Sequence, residues 1–270
     1  PYLGDLKVNE ITSADVLHWQ NDVKELRDSS GQPLAQTYLR TISNQLSAMF
    51  NHAVRYYGLQ ANPMRRTGKM GSKKSSVEMR FWTREEYLQF RRQVMDKPIS
   101  FLAFEVLYWT GIREGELLAL TPADFDARRS TLSISKSYQR IKGRDVVTCP
   151  KTPKSNRVIT VSPFLMEEVQ EYVKVKHVPK GERIFRLSKS FLYHEMRRGC
   201  ALAGTKVIRI HDLRHSRVSL LIELGYSVPA IAERMGHEGV DITLHYVHLF
   251  PNKQAEMAAD MERLNFAGEE

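Results

Sequence analysis

The sequence predicts a mainly α-helical protein with a small antiparallel β-sheet, divided into a helical N-terminal module and a larger domain. Apolar residues recur at helical spacing along most of the 270 residues. A Gly-, Ser- and Lys-rich stretch at 67–79 interrupts this pattern, and strand-like alternation is confined to residues 131–162. The composition, 42% hydrophobic and 26% charged, is ordinary for a globular protein, and the length allows one large domain or two smaller ones.

Two amphipathic helices are predicted in the N-terminal module. The first begins at a cap formed by Thr12 or Ser13. Its apolar face consists of Val16, Trp19, Val23 and Leu26. The second spans residues 34–57 and ends at Gly58, with apolar side chains at 39, 42, 46, 49, 50, 53, 54 and 57. The two helices together predict a small helical unit.

The larger domain is predicted to begin with a helix capped by the capping box TREE at 83–86. A more apolar helix follows at about 98–110 and stops at Gly111. The runs TLSISKSY (131–138) and RDVVTCP (144–150) predict a hairpin, and RVITVS (157–162) predicts a third strand. Short helices are then predicted at about 163–176, 189–203, 211–224, 228–235, 239–247 and 252–265.

Positive charge is concentrated in two segments. The chain has 40 Lys and Arg against 31 Asp and Glu, a net charge of +9. Residues 65–80 hold six basic side chains and one acidic one, and residues 136–157 hold seven and one, so the rest of the chain sums to −2. Clustered positive charge on an otherwise balanced chain is typical of a protein that binds nucleic acid.

Several protein classes are not favoured. No apolar run approaches the roughly 20 residues that a membrane-spanning helix needs, and no signal peptide is visible. Cys149 and Cys200 form no metal or redox motif, so we expect reduced thiols in a cytosolic protein. The chain begins at Pro1 without an initiator Met, which suggests a fragment of a longer protein.

Arg113 is the first candidate for chemistry. It lies in YWTGIREGELLAL (108–120), between two apolar helices, and an unpaired charge is costly to bury there. Glu116 either simply pairs with this arginine or orients it toward a bound anion.

The segment HDLRHSRVSL (211–220) places His211 and Arg214 three residues apart near the start of a helix. A helix N-terminus presents free N–H groups and the positive end of the dipole, so this pair would suit a phosphate. The alternative is a helix cap and a surface ion pair.

Two further segments contain candidate residues. In MGHEGVDITLHYVHL (235–249), His237 follows a glycine and Tyr246 lies among histidines. Lys151 lies in CPKTPKSNR, at the tip of the basic hairpin, where a plain phosphate contact is the simplest role. We expect no metal site, because the familiar helical ligand pattern His-Glu-x-x-His does not occur.

Taken together, these segments resemble the tyrosine recombinase (phage integrase) family, of the type found in phages and integrative or conjugative elements. The matching words are TGIREGELLAL, PKTPKSNRVITV, HDLRHS and MGHEGVDITLHYVHL, and the last keeps the family's nine-residue step from His237 to Tyr246. The resemblance covers essentially residues 5–265. It implies a catalytic set of Arg113, Lys151, His211, Arg214, His237 and Tyr246.

The resemblance also implies the reaction, a site-specific cleavage and rejoining of DNA that needs neither metal nor ATP. Tyr246 would be the nucleophile that forms a 3′-phosphotyrosyl link. Arg113, Arg214 and His237 would bind the phosphate oxygens, and Lys151 would protonate the departing 5′-oxygen. His211 would accept the tyrosine proton or donate a structural hydrogen bond. Glu116 and His215 would orient the residues that touch the DNA.

The domain organisation follows from the same resemblance. Residues 1–66 would be a core-binding, SAM-like helical DNA-binding domain that lacks the family's usual first helix, and 67–79 a basic linker. Residues 80–250 would be the catalytic domain, and 251–270 a C-terminal helix or tail for contacts between protomers. The two domains would close around duplex DNA. The expected DNA-binding residues are Arg65, Arg66, Lys69, Lys73, Lys74, Lys136, Arg140, Lys142, Arg144, Lys154 and Arg157.

The expected partners are double-stranded recombination sites, further copies of the chain in a dimer or tetramer on DNA, and an accessory directionality factor. The expected location is the bacterial cytoplasm, at the nucleoid. Two alternatives remain. A type IB topoisomerase would relax DNA with the same chemistry, and a non-catalytic DNA-binding regulator would keep the fold without cleavage.

Overall fold

The computed structural model describes residues 3–72, 79–149, 153–239, 241–244, 246, 257–259 and 261–263. The chain forms two compact units, Pro1–Glu78 and Met79–Glu270. Within the described segments, no helix combines the length and apolar character that crossing a bilayer requires.

The N-terminal unit contains three helices, α1 (Ser13–Glu25), α2 (Gln36–Tyr56) and α3 (Met64–Thr67). The predicted cap is present, since the Thr12 side chain accepts from the backbone of Asp15 in a capping box. The core consists of Val16, Trp19, Val23, Leu39, Phe50, Met64 and Met70. Leu26 lies outside this core, because α1 ends at Glu25 and the chain then turns to an extended conformation.

The first part of the predicted linker is packed against the N-terminal unit. Met70 is buried, and its N–H donates to Ser43 Oγ at 3.3 Å. Gly71 has a φ of +69° and lies against α2 so closely that a Cβ would come within 2.0 Å of the Gln36 carbonyl oxygen. Residues 67–72 therefore differ from a free linker. Residues 73–78 lie outside the described part of the chain.

The second unit is mainly helical, as predicted. Its helices are α4 (Arg84–Gln93), α5 (Pro98–Thr110), α6 (Glu114–Leu117), α7 (Pro163–Val175), α8 (Lys189–Ala203), α9 (Asp212–Glu223), α10 (Val228–Met235) and α11 (Asp241–Leu244). The short helices α3 and α6 are absent from the sequence prediction, since four residues are too few to show a period. Of the helix predicted at 252–265, residues 257–259 and 261–263 are helical.

The strands form two separate sheets rather than the predicted hairpin with a third strand. Strands β1 (Phe125–Asp126), β2 (Thr131–Ile134) and β5 (Arg157–Thr160) make an antiparallel sheet in the order β1-β2-β5. Strands β3 (Ser137–Ile141) and β4 (Arg144–Thr148) pair only with each other in the described segments. The run 131–138 is thus divided between two sheets, although its alternation of side chains is continuous.

Helix α5 lies at the centre of the core of this unit. Residues 102–108 are all buried, including Glu105, whose carboxylate accepts from Arg91 and Trp109 at 2.7 and 3.1 Å. The indole of Trp82 packs beside Phe90 and donates to the Lys206 carbonyl at 2.9 Å. Because α5 is buried on all sides, its C-terminal end is held in a fixed position. The site described below begins at this C-terminal end.

Candidate active site

Arg113 follows the C-terminus of α5. Gly111 ends that helix in the left-handed conformation at a φ of +71°, which glycine adopts without strain. Arg113 then caps α6, where its Nη1 and its backbone N–H both donate to the Glu116 carboxylate at 2.9 Å. The Arg113 side chain is 39% exposed, so its guanidinium is held in place on one side and open on the other.

Glu116 is buried and binds two arginines. Besides Arg113, its carboxylate accepts from Nη1 and Nη2 of Arg157 at 3.2 and 3.0 Å. Burial alone raises the pKa of this carboxyl, but hydrogen bonds from Arg157 and the charges of both arginines outweigh it, so the pKa is lowered. Glu116 is therefore an anion that orients Arg113.

The expectation that Arg157 contacts DNA is revised. Its side chain is only 7% exposed, and the guanidinium is engaged by Glu116, by the Arg234 carbonyl and by the Ser155 carbonyl. We assign Arg157 to holding Glu116. Its sequence position in a basic run does not show this role, because Glu116 lies 41 residues away.

Removing the charge of Glu116 should destabilise the second unit. Glu116→Gln leaves Arg157 buried without a counter-ion, and we expect a loss of about 3–5 kcal/mol in the free energy of unfolding. The measurement is urea unfolding of the whole chain. The control is Glu114→Gln, which should destabilise the unit less. Burial raises the pKa of Glu114 and its ion pair with Lys189 is long at 3.8 Å, so the charge of Glu114 stabilises the fold less than that of Glu116. Equal losses in the two variants would contradict the role of Glu116.

Arg214 lies on α9 and is almost completely buried. Its guanidinium donates to the carbonyl oxygens of Gly111 at 2.8 Å and Met235 at 2.6 Å, near the C-termini of α5 and α10. Carbonyl oxygens at the C-terminus of a helix lie at the negative end of its dipole and therefore favour a cation. Burial and then the charge of Arg113 lower the pKa of Arg214 to about 9, so it remains cationic at neutral pH. No described carboxylate pairs with it, which leaves the charge available to an anion.

His237 occupies the turn after α10. The preceding residue, Gly236, has a φ of +65°, and a Cβ there would come within 2.9 Å of both Arg157 and the Lys154 backbone. His237 is buried, and its Nδ1 is 2.8 Å from Thr243 Oγ1. Burial, and then the charge of Arg214, lowers the pKa of His237 to about 4, so the imidazole is neutral at pH 7 and can donate one ring N–H.

Tyr246 is buried beside α9 and α10, with its ring among Val218, Ile222 and Met235. Its hydroxyl contacts Nδ1 of His215, one residue after Arg214. Burial raises the pKa of Tyr246 to about 12, although the charge of Arg214 opposes this. The phenol is therefore protonated at neutral pH.

His211 is the N-terminal cap residue of α9 and lies beside His215, with ring centroids 5.1 Å apart. Burial of part of the ring, and then the charge of Arg214, lowers the pKa of His211. Arg113 contributes in the same direction, so His211, Arg113 and Arg214 share one electrostatic environment. The structure thus brings together five of the six predicted catalytic residues. Lys151, the sixth, lies outside the described residues.

The predicted DNA-binding residues differ in exposure. In the N-terminal unit Arg65, Arg66 and Lys69 are exposed, whereas Lys73 and Lys74 lie outside the described segments. On the β3–β4 hairpin Arg140, Lys142 and Arg144 are exposed, and so is Lys154, which donates to the Glu238 carbonyl at 2.7 Å. Lys136 is bound to Asp124 at 2.7 Å, which occupies its charge within the domain.

Sequence reasoning missed Asp212 and Thr243. Asp212 is completely buried and accepts from Arg209 at 2.7 Å, and its Oδ1 lies 3.8 Å from His215 Nε2. The pattern RIHD at 209–212, a basic residue three before an acidic one at a helix start, could have indicated it. In the part of the chain that the structure describes, no three His, Cys, Asp or Glu side chains converge as metal ligands.

Comparison with known proteins identifies the family. Residues 83–253 match the phage integrase family. The ICEBs1 integrase of Bacillus subtilis (strain 168) is 31% identical over 247 residues, which cover 86% of this chain and 67% of that protein. The integrase of Mycobacterium phage L5 is 27% identical over 275 residues, 98% of this chain and 71% of that protein.

Two solved structures have a similar fold. The Tn1549 transposon integrase in complex with a circular intermediate DNA superposes with a TM-score of 0.75 at 19% identity, covering 98% of this chain and 89% of that chain. A lambda integrase dimer bound to a COC′ core site gives 0.62 at 19% identity, over 91% and 67%. The family match and the curated relatives agree. This chain belongs to the phage integrase family of tyrosine recombinases.

Proposed function

We propose that this chain is the site-specific recombinase of a mobile element and that it cleaves and rejoins DNA through a 3′-phosphotyrosyl intermediate for integration and excision. One observation carries the proposal: Arg214, which pairs with no described carboxylate, lies close enough to Arg113, His237 and Tyr246 for its charge to act on all three. The similar structures of the Tn1549 and lambda integrases were both determined with DNA.

The chemistry is a transesterification. Tyr246 Oη attacks the scissile phosphorus, the bond to the 5′-oxygen breaks, and the energy of the phosphodiester is retained in the new link. Arg113 and Arg214 present forked donors to the non-bridging oxygens, and His237 adds a hydrogen bond as negative charge builds there. Lys151 donates a proton to the 5′-oxygen, a role that rests on the family resemblance. Rejoining is the same step in reverse.

The direct test is covalent trapping. The chain is incubated with a pool of nicked duplexes of randomised sequence, and adducts stable to SDS are separated and sequenced. We expect an adduct on a defined subset of sequences, with the protein on a 3′-phosphate. Salt-sensitive binding without any adduct would favour the non-catalytic regulator. Relaxation of supercoiled plasmid without a recombinant product would favour the topoisomerase.

The exposed basic hairpin is proposed to contact the DNA backbone. The double variant Lys142→Gln with Arg144→Gln should weaken DNA binding. It should also make the slope of log K against log salt concentration less steep by about 1.8, since each lost phosphate contact contributes about 0.9 to that slope for duplex DNA. The measurement is binding anisotropy at several salt concentrations. Lys180→Gln, at an exposed lysine outside both basic segments, should keep the wild-type slope. A double variant with the wild-type slope would contradict the contact.

Assembly on DNA as a dimer or tetramer is proposed to use residues 251–270, which carry five acidic and two basic side chains. A cavity of about 510 Å³ between α5, α9 and α10 is lined by Trp109, Arg217, Leu221 and Arg234, among others. Nε of Arg217 and Nε of Arg234 are buried and make no hydrogen bond in the described part. Burial and the neighbouring Arg234 lower the pKa of Arg217 to about 10. We propose that the acidic segment 251–270 of a second copy occupies this cavity.

Deletion of residues 251–270 tests this assembly. The truncated chain should bind a single site but lose the higher-order complexes that gel shift and analytical ultracentrifugation detect with the full chain. The double variant Arg217→Gln with Arg234→Gln should reproduce the loss. Unchanged assembly in both variants would contradict the proposal.

Location at the bacterial nucleoid and an accessory directionality factor belong to the proposed recombinase function, because the proposed substrate is chromosomal or element DNA.

A further inference from the structure

His215 is the side chain that contacts the nucleophile. Nδ1 of His215 lies against the hydroxyl of Tyr246, and in the described part of the chain this is the hydrogen-bonding partner of that hydroxyl. His215 and Tyr246 are 31 residues apart. His215 lies on α9 and Tyr246 lies two residues after α11, and both helices pack against α10. His211, which precedes His215 by one helical turn, contacts the His215 ring instead.

We propose that His215, rather than His211, accepts the proton of Tyr246 as its oxygen attacks the scissile phosphorus. The inference rests on the proposed function. In the step, the bond from Tyr246 Oη to phosphorus forms, the bond from phosphorus to the 5′-oxygen breaks, and the phenolic proton moves to Nδ1 of His215. The 5′-oxygen takes its proton from the acid assigned to Lys151. In the rejoining step His215 returns its proton to Tyr246.

The far side of the ring suits this role. To accept at Nδ1, neutral His215 must carry its proton on Nε2, which faces Asp212 Oδ1 at 3.8 Å. Asp212 is buried and fixed by Arg209, whose backbone N–H and side chain both donate to it. A fixed carboxylate on that side favours the Nε2–H tautomer and stabilises the imidazolium once the proton has arrived.

The charges around His215 determine when it can act. Burial, and then the neighbouring His211, lowers the pKa of His215 to about 4; Arg209 and Arg214 act in the same direction and Asp212 opposes them. The imidazole is therefore neutral and able to accept a proton throughout the neutral range. A phosphodiester that enters the site adds a negative charge and raises the pKa of His215 toward neutrality. Binding of DNA thus makes His215 a stronger base.

The test compares His215→Asn with the wild type on the nicked duplex that the wild type captures from the randomised pool. Asparagine keeps a polar group near the position of Nδ1 but cannot accept a proton. We expect DNA affinity to be unchanged and the rate of adduct formation at saturating DNA to fall by about 10²–10⁴-fold, the usual contribution of one general base. The residual rate should rise in proportion to hydroxide concentration.

The shape of the pH profile separates a base from a structural residue. A residue that merely positions Tyr246 would lower the rate at every pH without altering the profile. His211→Asn should lower the rate and keep the wild-type profile, and His194→Asn, at an exposed position on α8, should change neither. A wild-type rate or profile in His215→Asn, or hydroxide dependence in His211→Asn, would overturn this inference alone. Absence of any adduct with the wild type would overturn the proposed function and this inference with it.

Discussion

Tyr246→Phe should abolish the covalent protein–DNA adduct and leave DNA binding intact. The variant lacks the oxygen that attacks phosphorus, and no other hydroxyl contacts His215 in the described part of the chain. The ring stays in place, because it packs among Val218, Ile222 and Met235 and a phenylalanine fills the same space. We expect no adduct by SDS gel and a dissociation constant equal to that of the wild type.

The matched control is Tyr226→Phe, which removes a hydroxyl from an exposed tyrosine in the turn before α10. This variant should form adduct at the wild-type rate. An adduct in Tyr246→Phe would assign the nucleophile to another residue. Loss of binding in Tyr246→Phe would instead indicate that the hydroxyl maintains the structure of the site.

Arg113→Ala should slow cleavage by about 10²–10³-fold, the usual cost of removing one donor from a developing oxyanion. Arg113 is suited to this role because Glu116 holds one side of its guanidinium while the other side is open. Arg113→Lys should restore little of the rate, since lysine keeps the charge but not the forked donors. The measurement is single-turnover adduct formation at saturating DNA.

The control for Arg113 is Arg128→Ala, at an exposed arginine that follows β1. Its cleavage rate should equal that of the wild type. If Arg113→Ala lowered DNA affinity but not the single-turnover rate, Arg113 would bind the DNA equally in the ground state and the transition state. That result would remove it from the catalytic set.

The sequence is sufficient to predict the longer helices, because their signals are local. Thr12 and Thr83 are followed three residues later by an acidic side chain, and each forms the expected capping box. Gly111 ends an apolar helix as predicted, with a left-handed backbone. The pairing of the strands could not be predicted, because alternation shows which residues share a face but not which strand lies beside them.

The candidate site was predicted in part. Arg113, Arg214 and Tyr246 occur in recognisable segments, and the structure places them together. The roles of Arg157 and His215 depend on partners 41 and 31 residues away, on Glu116 and Tyr246, so no local pattern reveals them. A basic run predicts a positive surface, but one of its arginines becomes buried when a carboxylate from another element meets it.

The decisive measurement is the identity of the residue that becomes joined to DNA. The adduct trapped on the nicked duplex is digested with protease and nuclease, and the remaining peptide–nucleotide conjugate is sequenced by mass spectrometry. We expect a single nucleotide attached through its 3′-phosphate to Tyr246. A nucleotide on any other residue, or attachment through a 5′-phosphate, would contradict it.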